Sequence, residues 1–518
     1  MAMNTSDLSL AGARRLFWAM FAATLLLKIG VAATFPMTGD EAFFYQWGVF
    51  PAWGYSDHPP MVGWLLAVLH GINDHPLVLR SVTLLVTSAI ALLVVDLLRR
   101  FLPDARESSA WLAGAVYLAM PWSWMFVLVT TDTPLILFMA LSAYAYLRAS
   151  ACTDRGTGWY ALAGLFVGLA FLSKYFAALL GLAYAVHVLG WRRERWWALP
   201  LMLVLALPSI GINLGFNATH GWSNVMFNVF NRHEGSHWQL KTFVVYVGMA
   251  VYLLMPWLLW QGWRARPVPG VSASTQRAAA VLWLFPILLF AFLSLRRSVG
   301  LHWVLGFVPL FVVWAGLKLE PRALRRSLNW TLALSVPHLL LVAALAWVPL
   351  SLWQSSKLYE KAVFLREAPA IVQALQHDLP AGATLMARAY STASMLGYFH
   401  TAYVPVFGVG RHHARQDDQL VDFRSLQGQH LRILDFKEPQ LSDFTPYFER
   451  VSVSTFDVAG VRYFAVDGEG FRYQPYRDTV LSTIAREFHN IPTWLPLLGN
   501  PFCERYGFAE CSPGGPGR

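Results

Sequence analysis

Three carboxylates, Asp40, Glu41 and Asp57, lie with His58 in a segment, residues 38–60, that contains no Lys or Arg. The segment follows an apolar stretch of membrane-spanning length, so the acids are expected at the edge of a bilayer, where carboxylates are costly and usually functional. A carboxylate there can act as a general base or orient a hydroxyl group. The alternatives are a solvated anionic loop, a cap by Asp40 on a helix beginning at Glu41, and a pair of Asp57 with His58 or a cap on the following helix.

The composition indicates a polytopic membrane protein. Hydrophobic residues make up 56% of the chain and charged residues 14%. The 23 Trp and 19 Tyr residues suit aromatic belts at two membrane interfaces. The first apolar stretch lacks a small-residue cleavage pattern and is predicted to be a retained anchor. Apolar segments predict about eleven transmembrane helices, near 16–36, 76–98, 109–128, 133–147, 158–172, 175–190, 197–215, 242–260, 279–295, 301–317 and 329–351.

The distribution of Lys and Arg predicts the orientation in the membrane. Seventeen of these residues fall on one set of alternate connections, from Arg14 to Arg326, and only five on the other set before residue 352. The positive-inside rule therefore places the amino terminus in the cytoplasm and the acidic segment outside. The net charge of +10 mostly reflects this asymmetry, so it gives no case for nucleic-acid binding.

The chain changes character near residue 352. A helical pattern at 367–377 is followed by strand patterns at 383–388, 402–407, 430–436, 451–456 and 460–466. This predicts a transmembrane domain at 1–351 and a small soluble α/β domain at 352–518, outside the membrane. Cys503 and Cys511 would lie in that outer domain, where a disulfide is possible, and the sequence leaves the pairing open. No Cys/His spacing resembles a zinc site.

Basic residues that remain on the predicted outer face are candidates for binding an anion. They are expected at one membrane depth, together with Asp40 and Asp132. Arg and Lys complement the oxygens of a phosphate, although such residues can also extend to lipid headgroups. Asp132 is also a plausible helix cap before Pro134, and His302 with Trp303 could form an interfacial belt. The basic candidates are His58, Lys174, Arg232, His233, Arg296, Arg297 and His302.

A cationic pocket beside carboxylates at the outer leaflet suits the transfer of a group from a lipid phosphate. Cations stabilise the phosphate as it leaves, and a carboxylate within reach of the acceptor takes its proton or orients it. Nucleotide-linked donors are absent outside a bacterial cell, so a polyprenyl-phosphate carrier of the sugar makes chemical sense.

The residues resemble a known family across positions 14–470. Gly39-Asp-Glu-Ala42 and Tyr55-Ser-Asp-His-Pro-Pro60 are similar to the first outer loop of bacterial transferases with the C-type glycosyltransferase fold. These are relatives of protein O-mannosyltransferases and of the transferase that adds aminoarabinose to lipid A. Further similar motifs are Thr131-Asp-Thr-Pro134, Leu172-Ser-Lys-Tyr175, His220-Gly-Trp222, Asn231-Arg-His233, His302-Trp303 and a stretch with Ala387-Arg-Ala-Tyr390, Tyr398 and Val409-Gly-Arg411.

The resemblance implies roles for individual residues. Asp40 matches the catalytic acid of the first outer loop, and Asp132 matches the second acidic position. Glu41 is a further catalytic candidate, although it could face water or a cation. His58 stands where the aminoarabinose branch usually has a Lys, a departure that counts against that exact activity. The cations Lys174, Arg232 and either Arg296 or Arg297 match groups around the carrier phosphate, and no obligatory metal or other cofactor is implied.

These observations predict a glycosyltransferase of the bacterial inner membrane with an outward-facing active site, and the resemblance implies that it inverts the anomeric centre. The expected donor is an undecaprenyl-phosphate-type sugar, and the expected acceptor is lipid A or another lipopolysaccharide component. A protein hydroxyl is the alternative acceptor. A lipid or sugar transporter would place its charges near mid-bilayer and should show an inverted repeat, which the chain lacks. A polymerase or ligase would share the topology but transfer whole glycans.

Overall fold

The structure is a computed structural model that describes residues 9–231, 238–266, 268–410 and 415–515. The chain forms two compact units. The first, the helical unit, comprises Met1–Thr34, Asn73–Gly211 and Gly235–Ala344. The second, the mixed unit, comprises Phe35–Ile72, Ile212–Glu234 and Leu345–Arg518. The segment with Asp40 thus folds in one unit with the carboxy-terminal residues. The predicted division into 1–351 and 352–518 stays a prediction, because the compact units follow packing and not chain order.

Helices dominate the described residues. In chain order they are α1 (Leu10–Thr34), α2 (Gly39–Val49), α3 (Met61–His70), α4 (Pro76–Phe101), α5 (Glu107–Ala119), α6 (Pro121–Met125), α7 (Asp132–Ala151), α8 (Thr157–Phe171), α9 (Ala178–Trp191), α10 (Ala198–Thr219), α11 (Ser223–Val225), α12 (Leu240–Leu253), α13 (Pro256–Arg264), α14 (Ala273–Ser294), α15 (Val308–Lys318), α16 (Pro321–Trp347), α17 (Tyr359–Arg366), α18 (Ala368–Gln376), α19 (Tyr390–His400), α20 (Asp417–Leu420), α21 (Tyr473–Tyr476), α22 (Ser482–Phe488) and α23 (Pro501–Tyr506).

Several helices are long and apolar enough to cross a membrane, so this is a multi-pass membrane protein. Within the described residues, seven helical segments meet this condition, or eight if α12 and α13, bent by 81° at their junction, form one span. The predicted count of eleven is not confirmed. Every predicted span is helical, but four are short or broken. Pro121 interrupts 109–128, the bend between α12 and α13 interrupts 242–260, and 158–172 and 175–190 form the short helices α8 and α9.

Small residues allow close packing in the helical unit. A Cβ atom on Gly114 of α5 would lie 2.4 Å from Val95 of α4 and 2.8 Å from Phe17 of α1. A Cβ atom on Gly164 of α8 would lie 2.4 Å from the backbone of Met202 in α10. Glycine therefore lets these backbones approach, which is the usual basis of helix association in lipid.

A four-stranded sheet forms the centre of the carboxy-terminal part of the mixed unit, which confirms the predicted small α/β domain. Its strands are β1 (Thr384–Ala387), β2 (Leu431–Asp435), β3 (Arg450–Val458) and β4 (Val461–Glu469). Their order is β1-β2-β4-β3, with β1 parallel to β2 and the other pairs antiparallel. The pattern predicted at 402–407 makes only one isolated bridge, between Ala387 and Val406.

Alternating side chains place an apolar core on each face of the sheet. One face packs Leu385, Leu434 and Ala465 against α18, and the other packs Met386, Ile433 and Val466 with a group of aromatic residues. A disulfide joins Cys503 and Cys511 near the end of the described chain. The pairing that the sequence left open is thus present in the structure.

Candidate active site

Asp40 lies in the first turn of α2 with its side chain exposed. The hydroxyl of Tyr390 donates a hydrogen bond of 3.0 Å to its Oδ1 atom. The helix begins at Gly39 and is capped by Thr38, whose Oγ1 atom accepts from the backbone N–H of Glu41. Because Thr38 provides the cap, the alternative role of Asp40 as the cap is wrong. Within the part of the chain that the structure describes, the Tyr390 hydroxyl holds this carboxylate, which is open to solvent.

Glu41 has a different environment. Its side chain is buried, and its Oε2 atom accepts from the backbone N–H of Thr38 at 3.3 Å and from the Thr38 hydroxyl at 3.2 Å. These contacts complete a capping box, which fixes the start of α2 and with it the position of Asp40. A catalytic role for Glu41 stays a prediction, and the geometry favours Asp40 as the residue that meets a substrate.

Tyr390 is a candidate that sequence reasoning did not single out. It begins α19, and its ring packs edge-on against Phe43 of α2 with 5.1 Å between centroids. The two helices touch at Gly39, where an added Cβ atom would lie 2.8 Å from Cβ of Ser391. The sequence pointed to Tyr390 only through the similarity of the Ala387–Tyr390 stretch to the outer domain of related enzymes. That similarity does not predict the contact with Asp40 of the first outer loop.

Asp57 and His58 lie beside each other in the mixed unit. Asp57 Oδ2 lies 3.1 Å from His58 Nδ1, as one of the predicted alternatives proposed. The following helix, α3, has no side-chain cap, so Asp57 does not serve it. The side chain of Asn228 holds the loop by donating to the carbonyl of Asp57 at 2.8 Å. The predicted contact of His58 with a donor phosphate stays a prediction.

Asp132 and Lys174 form a buried ion pair in the helical unit. The Nζ atom of Lys174 donates to both carboxylate oxygens of Asp132, at 2.9 and 2.8 Å. The side chains are only 9% and 5% exposed. Asp132 is the first residue of α7, and Lys174 lies at the end of the turn between α8 and α9. The structure thus joins two predicted site residues that are 42 positions apart in the chain.

Aromatic contacts connect the Lys174 turn to the segment before α15. Phe176 packs against Trp303 with 4.5 Å between ring centroids, and both contact Phe290 of α14. His302 is exposed beside Trp303. Trp303 therefore packs inside this end of the helical unit and does not form the predicted interfacial belt. Anion binding by His302 stays a prediction.

The other predicted cations have separate surroundings. Arg296 is exposed, and its guanidinium lies 5.2 Å from the centre of the Trp238 ring. Arg297 is half-buried one residue later. Arg232 and His233 lie outside the described residues. The binding of a donor phosphate by these four residues stays a prediction.

Arg80 is a buried cation that was not among the basic residues counted on the connections between apolar segments. It lies within the apolar segment that forms α4. Its guanidinium is fully buried and donates to the carbonyl of Ala32 at 2.9 Å. That carbonyl belongs to the last turn of α1, which lacks helical N–H partners, so Arg80 satisfies a helix end. One turn further, Thr83 and Thr133 share a hydrogen bond of 3.2 Å beside Asp132.

Replacing Tyr390 with Phe tests the contact with Asp40. The ring and its packing on Phe43 remain, but the hydrogen bond to the carboxylate is lost, so we expect turnover to fall by roughly 5- to 20-fold. Sugar transfer by the purified protein would be measured. Tyr359→Phe is the matched control, because it removes a Tyr hydroxyl bonded to the Ala459 carbonyl elsewhere in the mixed unit. Equal turnover in both variants would contradict a role for Tyr390.

Comparison with known proteins identifies the class of enzyme. Residues 57–213 match the family described as dolichyl-phosphate-mannose-protein mannosyltransferase. The chain is 27% identical over 339 residues to the lipid A galacturonosyltransferase RgtD of Rhizobium johnstonii. The aligned region covers 58% of this chain and 67% of that protein.

Solved structures show a similar fold. The crystal structure of ArnT from Cupriavidus metallidurans bound to undecaprenyl phosphate matches with a TM-score of 0.61 and 15% identity, covering 87% of this chain and 97% of ArnT. The apo structure of the same protein matches with a TM-score of 0.59 and 16% identity, at the same coverage. The predicted C-type fold, a helical membrane protein with a small carboxy-terminal sheet domain, is confirmed, as is the prediction of a glycosyltransferase.

Proposed function

We propose that this C-type membrane glycosyltransferase transfers one sugar from a polyprenyl-phosphate carrier to lipid A or another lipopolysaccharide component. The similarity to a lipid A galacturonosyltransferase along more than half of the chain supports this acceptor. The fold shared with ArnT, whose structure contains undecaprenyl phosphate, supports this donor. The observation that carries the proposal is an apolar groove in the helical unit, whose lining includes the residues on either side of the turn that carries Lys174.

The groove has a volume of about 470 Å³ and lies along α8, α9 and α10. Its lining is almost entirely apolar, including Val167, Leu182 and Leu203. An added Cβ atom on Gly181, which lines the groove, would have no neighbouring atom within 4 Å. Phe171 and Ala178 are also in the lining, and they flank the turn that carries Lys174. An isoprenoid chain in this groove would bring its phosphate to that turn, where a cation is already placed.

The reaction proposed is a single displacement at the anomeric carbon. The acceptor hydroxyl attacks, the bond from the anomeric carbon to the phosphate oxygen breaks, and polyprenyl phosphate leaves with its electron pair. Asp40 takes the hydroxyl proton as general base, and Tyr390 holds the carboxylate in orientation. In the helical unit, Lys174 has one N–H donor beyond the two that Asp132 accepts, and it is the proposed partner of the carrier lipid's phosphate. Inversion follows from attack opposite the leaving group.

The proposed location is the bacterial inner membrane. The count of Lys and Arg supports a cytoplasmic amino terminus and a carboxy-terminal domain in the periplasm. On this side of the membrane a lipid-linked donor and lipid A share one leaflet, which suits an active site at the membrane edge.

The mass of lipid A tests the proposed acceptor. Lipid A would be compared by mass spectrometry in cells with the gene deleted, restored, or restored as the Asp40→Asn variant. We expect an increment of one sugar only when the unaltered gene is restored. An increment on a periplasmic protein instead would move the acceptor to a protein hydroxyl, and a ladder of masses would indicate a polymerase or ligase. Unchanged masses on both would contradict the proposal.

We further propose that transfer needs no bound metal ion. Both oxygens of Asp132 accept from Lys174, and Asp57 is beside His58, which leaves few acidic groups for a cation. Within the described residues there is no group of three or more His, Cys, Asp or Glu side chains suited to hold a metal. We expect EDTA to leave the rate of the purified enzyme within twofold of its untreated rate. Loss of activity that Mg²⁺, Mn²⁺ or Zn²⁺ restores would contradict this.

A further inference from the structure

A short loop in the carboxy-terminal part of the mixed unit turns two large apolar side chains outward. It comprises residues 491–499, which we call the Trp494 loop, and it contains no charged residue. Trp494 and Leu498 are each 72% exposed, whereas Ile491 and Leu495 are buried. The buried pair packs into a small apolar core, so one side of the loop is fixed to the protein and the other is open. An uncharged loop of this kind indicates an apolar partner.

Hydrogen bonds tie the Trp494 loop to the end of α10. The backbone N–H groups of Leu498 and Gly499 both donate to the carbonyl of Ala218, at 2.7 and 3.1 Å. The indole N–H of Trp222 donates to the carbonyl of Pro496 at 2.8 Å. Ala218 is the residue before the last of α10, so the position of the loop is set by where this helix ends.

The length of α10 places that end at a membrane interface. Its 22 residues extend over about 33 Å, which is close to the thickness of roughly 30 Å of the hydrocarbon core of a bilayer. Leu203, Leu207 and Leu214 of this helix are each at least half exposed, so it presents apolar side chains to lipid along its length. The helix ends at Thr219. The Trp494 loop, bonded to the preceding residue, therefore lies where the hydrocarbon meets the headgroups.

The chemistry of the loop suits this depth. Trp is enriched at membrane interfaces because its ring is apolar while its indole N–H can reach headgroups or water. Leu498 adds apolar area, and without a charged side chain the loop has no ion to desolvate. Pro492 and Pro496 have no backbone N–H, and the N–H of Leu495 donates to the carbonyl of Pro492 at 3.0 Å. Fewer backbone groups therefore need water, as contact with lipid requires.

The loop is also held at its far end. Asn500 caps α23: its Oδ1 atom accepts from the backbone N–H of Cys503 at 3.4 Å, and its Nδ2 atom donates to the carbonyl of Cys511 at 3.0 Å. The same two cysteines form the disulfide. Because the protein fixes the loop on both sides, its outer side chains can meet a partner with little further ordering, which favours binding.

We propose that the Trp494 loop is a membrane anchor for the carboxy-terminal part of the mixed unit. Trp494 and Leu498 insert into the interfacial layer of the phospholipid bilayer that α10 crosses, and the inner side of the loop stays packed on the protein. The inference concerns contact with lipid and not the transfer reaction, so it does not rest on the proposed function.

Spin-label accessibility on the full chain tests this in nanodiscs of phosphatidylethanolamine and phosphatidylglycerol. Leu498→Cys would carry a nitroxide in a Cys152→Ser background, which removes the free cysteine. Val453→Cys is the matched control, because Val453 is an exposed apolar residue on β3, at the other edge of the sheet from β1. Oxygen concentrates in lipid and a nickel chelate in water, so we expect the ratio of oxygen to nickel collisions to be about threefold higher, or more, at position 498.

The outcomes separate lipid from the other partners. Equal ratios at the two positions would place the loop in water and would overturn the proposal. Fewer collisions with both reagents at position 498 would indicate that a second copy of the chain or another protein covers the loop, which would also overturn it.

Trp494 itself provides a second measurement that does not depend on the cysteine variants. Fluorine NMR of the protein made with fluorotryptophan identifies its resonance as the one missing from the Trp494→Phe variant. We expect that resonance to broaden when phospholipid with a nitroxide on its acyl chain is added to the nanodiscs, because the ring lies within the interfacial layer. A resonance that this lipid leaves unchanged would overturn the proposal even if the cysteine variants failed to fold.

Discussion

Replacing Asp40 with Asn is expected to lower the rate of sugar transfer by a factor of roughly 10²–10⁴, the usual contribution of a general base. The amide keeps the size of the side chain, and its oxygen can still accept from Tyr390, so the local structure should be retained. It cannot take the proton from the acceptor hydroxyl. The measurement is the initial rate with purified protein and lipid-linked sugar, together with KM for both substrates. We expect the loss to appear in kcat.

Asp378→Asn is a matched control in the same unit. Asp378 is exposed and has a φ of 57°, a conformation that Asn adopts readily, so this variant should fold and work normally. Full activity of the Asp40→Asn variant would show that Asp40 is not the base and would remove the proposed mechanism. Transport of lipid without a covalent change would then be the better account of the outer charges.

Replacing Lys174 with Met is expected to affect stability and activity together. The substitution leaves the Asp132 carboxylate buried without its cation, which typically costs about 3–5 kcal/mol in the free energy of unfolding. It also removes the proposed partner of the leaving phosphate. Thermal unfolding in detergent, followed by Trp fluorescence, and the rate of sugar transfer would both be measured. On its own, this variant does not distinguish a structural role from a catalytic one.

The double variant Asp132→Asn with Lys174→Met makes that distinction. Removing both charges takes away the uncompensated carboxylate, so most of the lost stability should return. If the pair were only structural, activity would return as well; we expect it to remain at least 100-fold low. Lys28→Met is the matched control, since Lys28 is a buried cation of the same unit that donates to Thr87 and Ser88. Its loss should leave transfer unchanged.

Much of the fold could be predicted from the sequence because it depends on local patterns. Apolar stretches predict helices wherever they occur, and alternation with turn residues predicts strands such as β2 and β4. The number of full spans could not be predicted, because some apolar stretches fold as short or interrupted helices. Pro121, for example, divides the predicted span 109–128 into α5 and α6.

The same division applies to the candidate site. The residue types and their place at the predicted membrane edge determined that Asp40, Asp132 and Lys174 were candidates, since charge beside lipid is costly enough to need a reason. Only the tertiary structure decided their partners: Tyr390 reaches Asp40 across 350 positions, and Lys174 pairs with Asp132 across 42. Such pairs depend on how helices pack, and packing is fixed by contacts such as Gly39 on Ser391 that have no periodic signal. The sequence by itself therefore determined the class of protein and its candidate acids and cations, whereas the tertiary structure decided which of them are held, buried or exposed.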